Sequence, residues 1–384
     1  MATSKPYSIP LLPLAFELED KAIFRQLNRA SRLLGEMKGA AEKIPNKDIL
    51  ISALSLMEAK ESSAVENIVT THDELYKADL RLNIKEYSMS SSTKEVMNYR
   101  EAIRVGYTLV KEQGLLTNRV IKDIQQVLEG NSAGFRTVPG TKLKDSRDNE
   151  VYMPPQDGRE IEKLMQNLEA FINDDDRSDL DDLIKMAVIH HQFESIHPFY
   201  DGNGRTGRII CVLYLVAKGL LDLPILYLSH YITQHKGEYY RLLQAVRDEE
   251  DNAKSWRDWV LFMLKGVEVT AASTLSMIKG ISTLMADYKR TLKPIFGQAY
   301  KHELLNNLFF HPYTKIEYMM RDMMVGRKTA AKYLNMIVEA NLLTVVKEGT
   351  TNYYINTGLV DLVLNHHSIM GAKVDSVESI HHPT

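Results

Sequence analysis

The chain has 384 residues, which at roughly 150 residues per domain predicts two to three domains. Its 47 Lys and Arg against 50 Asp and Glu leave a net charge of −3, a near-balance that argues against coating nucleic acid through bulk charge. A hydrophobic share of 44% and a charged share of 25% exclude a wholly disordered chain and a collagen-like repeat. The single cysteine, Cys211, excludes an internal disulfide and a Cys-rich zinc module and fits a reducing cytoplasm.

In chain order, Tyr7 to Leu14 reads as extended, because each of Pro10 and Pro13 biases its predecessor away from helix. This N-terminus lacks the apolar stretch and cleavage site of a secretory signal, so the expected location is cytoplasmic. Helical spacing starts near Asp20 and runs through Ile23, Leu27, Ala30 and Leu34. Further helices are predicted over 49–68 (with a break at Ser62-Ser63), 73–80 and 96–111, and from Asn118 to Gly130. From Phe135 to Pro155 the chain turns to Gly, Pro, Asp and Asn with β-branched pieces at Thr137-Val138 and Val151-Tyr152, the pattern of a hairpin or flap. Helical spacing returns over 157–171. Six aspartates between Asn173 and Asp182 read as a solvated connection whose last members favour the next helix start.

Leu183, Ile184, Ala187, Val188 and His191 define one helical face over 183–192. A loop around 198–204 leads into a buried helix over 205–218, whose apolar run, Ile209 to Ala217, is well short of the about 20 residues of a membrane span; no membrane partner is expected. Helices follow over 231–247 and 256–282. Near Lys301 the pattern changes. Helices over 315–324 and 328–340 flank Val325-Gly326, and strands at Leu343–Val346 and Tyr353–Ile355 flank a turn at Glu348-Gly349. Helix, turn, helix, hairpin is the order of a winged helix-turn-helix. The tail from Gly371 to Thr384 has little to pack.

The chemistry concentrates in His197-Pro-Phe-Tyr-Asp-Gly-Asn-Gly-Arg-Thr-Gly-Arg208. Gly202, Asn203 and Gly204 tolerate unusual backbone angles just before a helix, and N–H groups feeding a helix start attract anions. Arg205 and Arg208 are three apart and share a helix face, which suits a polyphosphate. Asp201 is a hard carboxylate of the kind that binds Mg²⁺ when phosphates complete the shell. His197, with an ordinary pKa of about 6.5, can accept a proton near neutrality. A lone His-Pro or Gly-Asn-Gly reads as structural. Base, metal ligand, anion nest and two arginines together read as a phosphate-transfer site.

The segment resembles the signature of Fic (Fic/Doc) proteins, His-Pro-Phe-x-Asp/Glu-Gly-Asn-Gly-Arg-x-x-Arg, with each defining position filled. Glu194-Ser195-Ile196 before it, Glu238-Tyr239-Tyr240-Arg241 after it and the preceding flap also match. The resemblance implies a mainly α fold: a Fic-type helical core with a β-hairpin flap, followed by the winged helix-turn-helix module. It implies AMP transfer from ATP to a Tyr, Thr or Ser hydroxyl of a protein, or of this chain itself. His197 would take the hydroxyl proton, and Asp201 would hold Mg²⁺ or Mn²⁺. Gly202, Asn203 and Gly204 would form the anion hole, with Asn203 also orienting the α-phosphate, Arg205 and Arg208 would bind the phosphates, and Thr206 and Gly207 would belong to the same nucleotide site. Asn149, Glu150, Val151 and Tyr152 of the flap, with Tyr239 and Arg247, would meet the nucleotide. Gly204 matters further, because the phosphorylating Doc branch has Lys there.

The family's inhibitory helix carries Ser/Thr-x-x-x-Glu-Gly/Asn, which Ser62-Ser63-Ala64-Val65-Glu66-Asn67 matches. Glu66 paired with Arg208 would occupy the space of the γ-phosphate, with Ser62 and Asn67 completing the motif. The implied division is an N-terminal helical region over 1–110 with the inhibitory helix at about 50–70, a catalytic core over 111–270, a helical linker over 271–300, the winged helix over 301–362 and a tail over 363–384. Residues 311–356 carry a local charge of +2, with Arg327, Lys328, Thr329 and Lys332 at the start of the second helix; DNA and protein contacts both stay open for this module, as does a homodimer. Two alternatives remain: a DNA-binding regulator that uses the Fic domain as a nucleotide sensor, and a Fic enzyme that removes AMP.

Overall fold

Helices carry most of the protein. The computed structural model describes residues 7–81, 89–144, 147–248, 253–348 and 351–364; the tail from Gly371 to Thr384 and Gly349 of the second hairpin lie outside them. In chain order the elements are α1 (Lys21–Ala41), α2 (Lys47–Val65), α3 (His72–Arg81), α4 (Ser91–Gln113), α5 (Asn118–Glu129), β1 (Leu143–Lys144), β2 (Glu150–Tyr152), α6 (Gly158–Asn173), α7 (Asp182–Ile196), α8 (Asn203–Ala217), α9 (Ser229–Gln234), α10 (Lys236–Asp248) and α11 (Ala253–Phe296). Then come α12 (His302–Phe310), β3 (Tyr313–Thr314), α13 (Ile316–Met323), α14 (Arg327–Glu339), β4 (Thr344–Glu348) and β5 (Thr351–Ile355). The chain divides into one unit of residues 1–38, 54–70 and 89–271 and a second of 39–53, 71–88 and 272–384.

The first unit is built on α7 and α8. Each residue of α7 from Leu183 to Ile196 is buried, so the helix has no solvent face. The single face expected from its spacing is thus corrected to a helix enclosed on all sides, because α6, α8 and α11 surround it. Asp181 caps it, accepting the Leu183 N–H at 2.8 Å, and the Trp259 indole donates to the Ala187 carbonyl at 2.8 Å. The extended N-terminal segment is strapped to the same layer: Leu12 exchanges two hydrogen bonds with the Asn167 amide, at 2.8 and 2.9 Å. The flap forms as β1 paired antiparallel with β2, Leu143 opposite Tyr152, with an irregularity before Lys144. The strand expected at Thr137-Val138 does not form. Those two N–H groups point instead at the Tyr200 phenol.

Helix α2 runs unbroken through Ser62-Ser63, contrary to the break expected there, because both serines are fully buried. The single helix expected over 231–247 is two, α9 and α10, meeting at His235. Helix α11 continues past Ser282 to Phe296. By length and composition this helix could cross a membrane, which no apolar run in the sequence announced. Of its most apolar window 67% is buried within the protein, the pattern of a core helix.

In the second unit α12, α13 and α14 pack with a three-stranded antiparallel sheet of order β3-β5-β4. The helices and hairpin expected over 315–355 form, and α12 and β3 are additional. Asn356, fully buried, ties this unit together. Its N–H donates to the Pro312 carbonyl at 2.8 Å, its amide donates to the Leu308 carbonyl at 3.0 Å, and it accepts from the Tyr288 hydroxyl at 2.7 Å. On α14, Lys328 and Lys332 are exposed, while Arg327 pairs with Glu317 at 2.8 Å.

Candidate active site

The motif loop is shaped by its own backbone. His197 closes α7 in a left-handed conformation (φ 49°), its N–H donating to the Phe193 carbonyl at 2.9 Å. Five residues later Gly202 opens α8, also left-handed at φ 76°. Glycine is required there twice over: the angle disfavours other residues, and a Cβ would collide with the Glu129 carboxylate. The Asn203 amide folds back on Phe199, accepting its N–H at 2.8 Å and donating to its carbonyl at 2.9 Å. That side chain therefore fixes the loop rather than projecting from it. The Thr206 N–H returns to the Gly202 carbonyl at 2.8 Å. The N–H groups of Asn203, Gly204 and Arg205 have no acceptor within the helix, as at any helix start, and form an anion nest.

His197 is half-buried, its Nδ1 enclosed without a hydrogen-bond partner. Burial first, then the charges of Arg247 and Arg136, lower its pKa to about 3, so the imidazole is neutral, the form that accepts a proton. Asp201 is exposed, with one carboxylate oxygen accepting the Gly202 N–H at 2.7 Å. Among the described residues no group of three His, Cys, Asp or Glu side chains is placed to hold a metal ion. A divalent ion here would have Asp201 as its protein ligand and need phosphate and water oxygens for the rest, which is how Mg²⁺ sits with nucleotides.

The two arginines part company. Arg205 lies between Glu95 of α4 and Glu129 of α5, at 3.0 and 2.9 Å, so its guanidinium pins α8 to those helices. Arg208 is 1% exposed and held by the end of α2. Its Nε donates to the Ser62 hydroxyl at 2.8 Å, and its Nη2 donates to the Ser62 carbonyl at 3.0 Å and to the Glu66 carboxylate at 2.9 Å. Burial alone would lower the Arg208 pKa, but Glu66, Tyr239, Tyr99 and Glu194 hold it above its ordinary value. Asn67, left-handed at φ 63°, turns the chain away just after Glu66. Gly204 makes the room: a Cβ there would run into the Glu66 carboxylate. Thr206 is fully buried with an unpartnered hydroxyl, and Gly207 backs onto Glu194, Phe193 and His190.

Of the flap, Asn149, Glu150 and Val151 face outward, with Glu150 paired to Lys142 at 2.6 Å. Tyr152 is buried; its hydroxyl donates to the Ser195 carbonyl at 2.8 Å and its ring carries the Arg247 guanidinium at 4.0 Å. Arg247 also donates to the Ser195 hydroxyl at 3.1 Å. Tyr239 is 1% exposed, its hydroxyl 2.9 Å from His190 Nε2, so it stands inside the core. Its neighbour Tyr240, 44% exposed, is the aromatic that reaches the surface.

Sequence reasoning missed Glu58, Tyr99, Ser229, Glu95, Glu129 and Arg136, and gave Glu194, which flanks the motif, no role. Only Glu58 left a signal: Glu58, Ser62 and Glu66 are spaced by four and share one face. Its carboxylate is enclosed, accepting from the Tyr99 hydroxyl at 3.0 Å, the Ser229 N–H at 3.1 Å and the Ser229 hydroxyl. Burial raises its pKa from 4.5 to about 7, and burial does the same to Glu194. A carboxyl whose folded pKa is raised stabilises fully below 4.5, and that stability is lost as pH rises to about 7. The loss is on the order of a few kcal/mol. Buried His190 and half-buried His197, held down near 3, tilt stability the other way over an overlapping range, so the difference from a Glu58→Gln variant is what reports Glu58. Urea midpoints of wild type relative to this variant are expected to fall between about pH 5 and about pH 7; parallel curves would contradict the buried, proton-bearing Glu58.

Three family matches cover most of the chain. Residues 24–108 match the family described as Fic/DOC family N-terminal, 115–215 the Fic/DOC family, and 284–359 the protein adenylyltransferase SoFic-like C-terminal domain. Curated proteins called Protein adenylyltransferase Fic from Drosophila sechellia and Drosophila melanogaster are each 26% identical over 170 residues. That is 43% of this chain and 33% of those proteins, so the match spans a third of their length. Among solved structures, a Fic family protein from Desulfovibrio desulfuricans G20 aligns with a TM-score of 0.54 at 19% identity, over 88% of this chain and 96% of its own. A Fic domain containing signaling protein from Bacteroides thetaiotaomicron aligns with a TM-score of 0.51 at 14% identity, over 68% of this chain and 97% of its own. At these identities the structural likeness is one of fold.

Proposed function

We propose, from the premise that the chain belongs to the Fic/DOC family, that it transfers AMP from ATP to a protein hydroxyl and is held off by Glu66. The observation that carries this reading is the Arg208 pair. A fully buried guanidinium beside an anion nest is closed by one serine from α2 and one carboxylate just past its end, and that carboxylate stays partly open to solvent, 34% of its side chain exposed. A structural ion pair needs no nest beside it. A phosphate site with its cation temporarily occupied does.

When Glu66 withdraws, Arg208 and the N–H groups of Asn203, Gly204 and Arg205 offer a continuous cradle for a triphosphate. A divalent ion on Asp201, when bound, would neutralise phosphate charge. The target hydroxyl attacks the α-phosphorus. One O–P bond forms, the bond to the bridging oxygen of the β-phosphate breaks, pyrophosphate leaves with that electron pair, and the hydroxyl proton passes to the His197 imidazole. The target is a Tyr, Thr or Ser of another protein or of this chain. β2 has β1 on one edge and no strand on the other among the described residues, so an extended target segment can be registered there by main-chain hydrogen bonds.

The Glu66→Gly protein, incubated with Mg²⁺ and ATP labelled at either the α- or the γ-phosphate, tests the reaction class. Label from the α-phosphate is expected on protein and none from the γ-phosphate. Incorporation of the γ-label would mean phosphoryl transfer, and incorporation of neither would remove the proposal.

A further inference from the structure

We infer that Arg136, outside the motif, is a positioning residue that sets the backbone of His197 through the root of the flap. The inference rests on the AMP-transfer reading for its activity arm, and on geometry alone for its second arm.

Arg136 is fully buried. Among the described residues no carboxylate acts on its guanidinium: the ionisable groups around it are the Tyr152 and Tyr200 phenols and the His197 imidazole. Burying an unpaired guanidinium is costly, so its contacts must return something a neutral side chain would not. Those contacts converge on one place. Arg136 Nε donates to the His197 carbonyl at 2.8 Å, and Nη2 donates to the Ile196 carbonyl at 3.4 Å. Its own backbone N–H donates to the Pro198 carbonyl at 2.8 Å. Three successive carbonyls, on either side of and including the proposed base, are held by one residue.

The reason such a grip is needed is the left-handed φ of His197, a conformation a residue with a Cβ adopts reluctantly. Without the Arg136 fork the 196–198 turn would relax, and the imidazole would swing with it. The next two residues extend the clamp. The N–H groups of Thr137 and Val138 donate to the Tyr200 hydroxyl oxygen at 3.1 and 3.3 Å, and Phe135 packs on Phe199 with ring centroids 5.3 Å apart. The flap root and the motif loop are thereby one rigid piece. Because the nest N–H groups belong to Asn203, Gly204 and Arg205, with α8 held by the Arg205–Glu129 and Arg205–Glu95 pairs at 2.9 and 3.0 Å, loss of Arg136 should disturb the base more than the phosphates.

The test uses the full chain carrying Glu66→Gly, with Arg136→Lys, Arg136→Met or Tyr200→Phe added. Calorimetric binding of Mg²⁺-ATP is expected to stay within about threefold of the parent. Incorporation of α-label is expected to drop about 10- to 100-fold in both Arg136 variants, a misplacement-sized effect, and less in Tyr200→Phe. Lysine restores the charge without the fork, so rescue by Arg136→Lys would overturn a positioning role in favour of a purely electrostatic one. Labelling within twofold of the parent in Arg136→Met, or a parallel loss of ATP binding, would also overturn it. Hydrogen exchange needs no transfer at all. Amides of the peptide covering 193–203 are expected to exchange at least about tenfold faster in Arg136→Met with α4, α5 and α11 unchanged, whereas unchanged exchange there would sink the inference. A parent that takes up no label counts against AMP transfer and leaves this exchange result to decide Arg136.

Discussion

Replacing Glu66 with glycine should raise AMP incorporation by roughly 10- to 100-fold. Productive ATP must take Arg208 from the Glu66 carboxylate, which it meets at 2.9 Å. A hydrogen bond to a charged group contributes about 1.5–3 kcal/mol, and each 1.4 kcal/mol is about tenfold in binding. Removing the carboxylate returns that energy to the nucleotide. Ser62 stays bound to Arg208 at 2.8 Å, so the guanidinium keeps one partner and its position. The measurement is label incorporation at ATP concentrations below saturation, where the gain is largest. Equal incorporation by wild type and Glu66→Gly would mean that the pair is only structural.

On that activated background, His197→Ala should lower AMP transfer by about 10² to 10⁴, the usual contribution of a placed general base, with ATP binding retained. Binding is expected to be retained because the proposed triphosphate cradle, the N–H groups of Asn203, Gly204 and Arg205 with Arg208, is left intact by this substitution. The chemistry falls because the proton of the attacking hydroxyl loses its acceptor. The imidazole is neutral in the closed pocket, held near 3 by burial and by Arg247 and Arg136. An arriving triphosphate brings negative charge, which raises a nearby imidazole pKa and makes it a better base. Calorimetry with Mg²⁺-ATP alongside label incorporation separates the two effects, and a matching loss of binding would speak against the base role.

What the sequence exposed follows the range of the interaction. Helix α5 was bounded to within a residue, because its signals are local: Thr117 accepts the Val120 N–H and Gly130 closes it left-handed. The motif was legible for the same reason, all its parts lying within twelve consecutive residues. Failures began where distant partners decide. Arg205 and Arg208 look equivalent three residues apart, yet Glu95 and Glu129 take one and Ser62 and Glu66 take the other. Tyr239 and Tyr240 are adjacent, and only packing against His190 tells which is inside. The β-branched pair Thr137-Val138 reads as strand, but the Tyr200 phenol claims its N–H groups. The one face read from the spacing of α7 misled because the helix is buried on every side, so its apolar positions mark no boundary with solvent.

Intact-mass spectrometry after incubation with Mg²⁺ and ATP puts the whole account to one trial, using Glu66→Gly beside the Glu66→Gly, His197→Ala double variant. The protein is expected to gain the mass of AMP in the first and to stay unmodified in the second. An AMP adduct of equal yield in both proteins, or in neither, would contradict an imidazole-driven transfer released by removing one carboxylate.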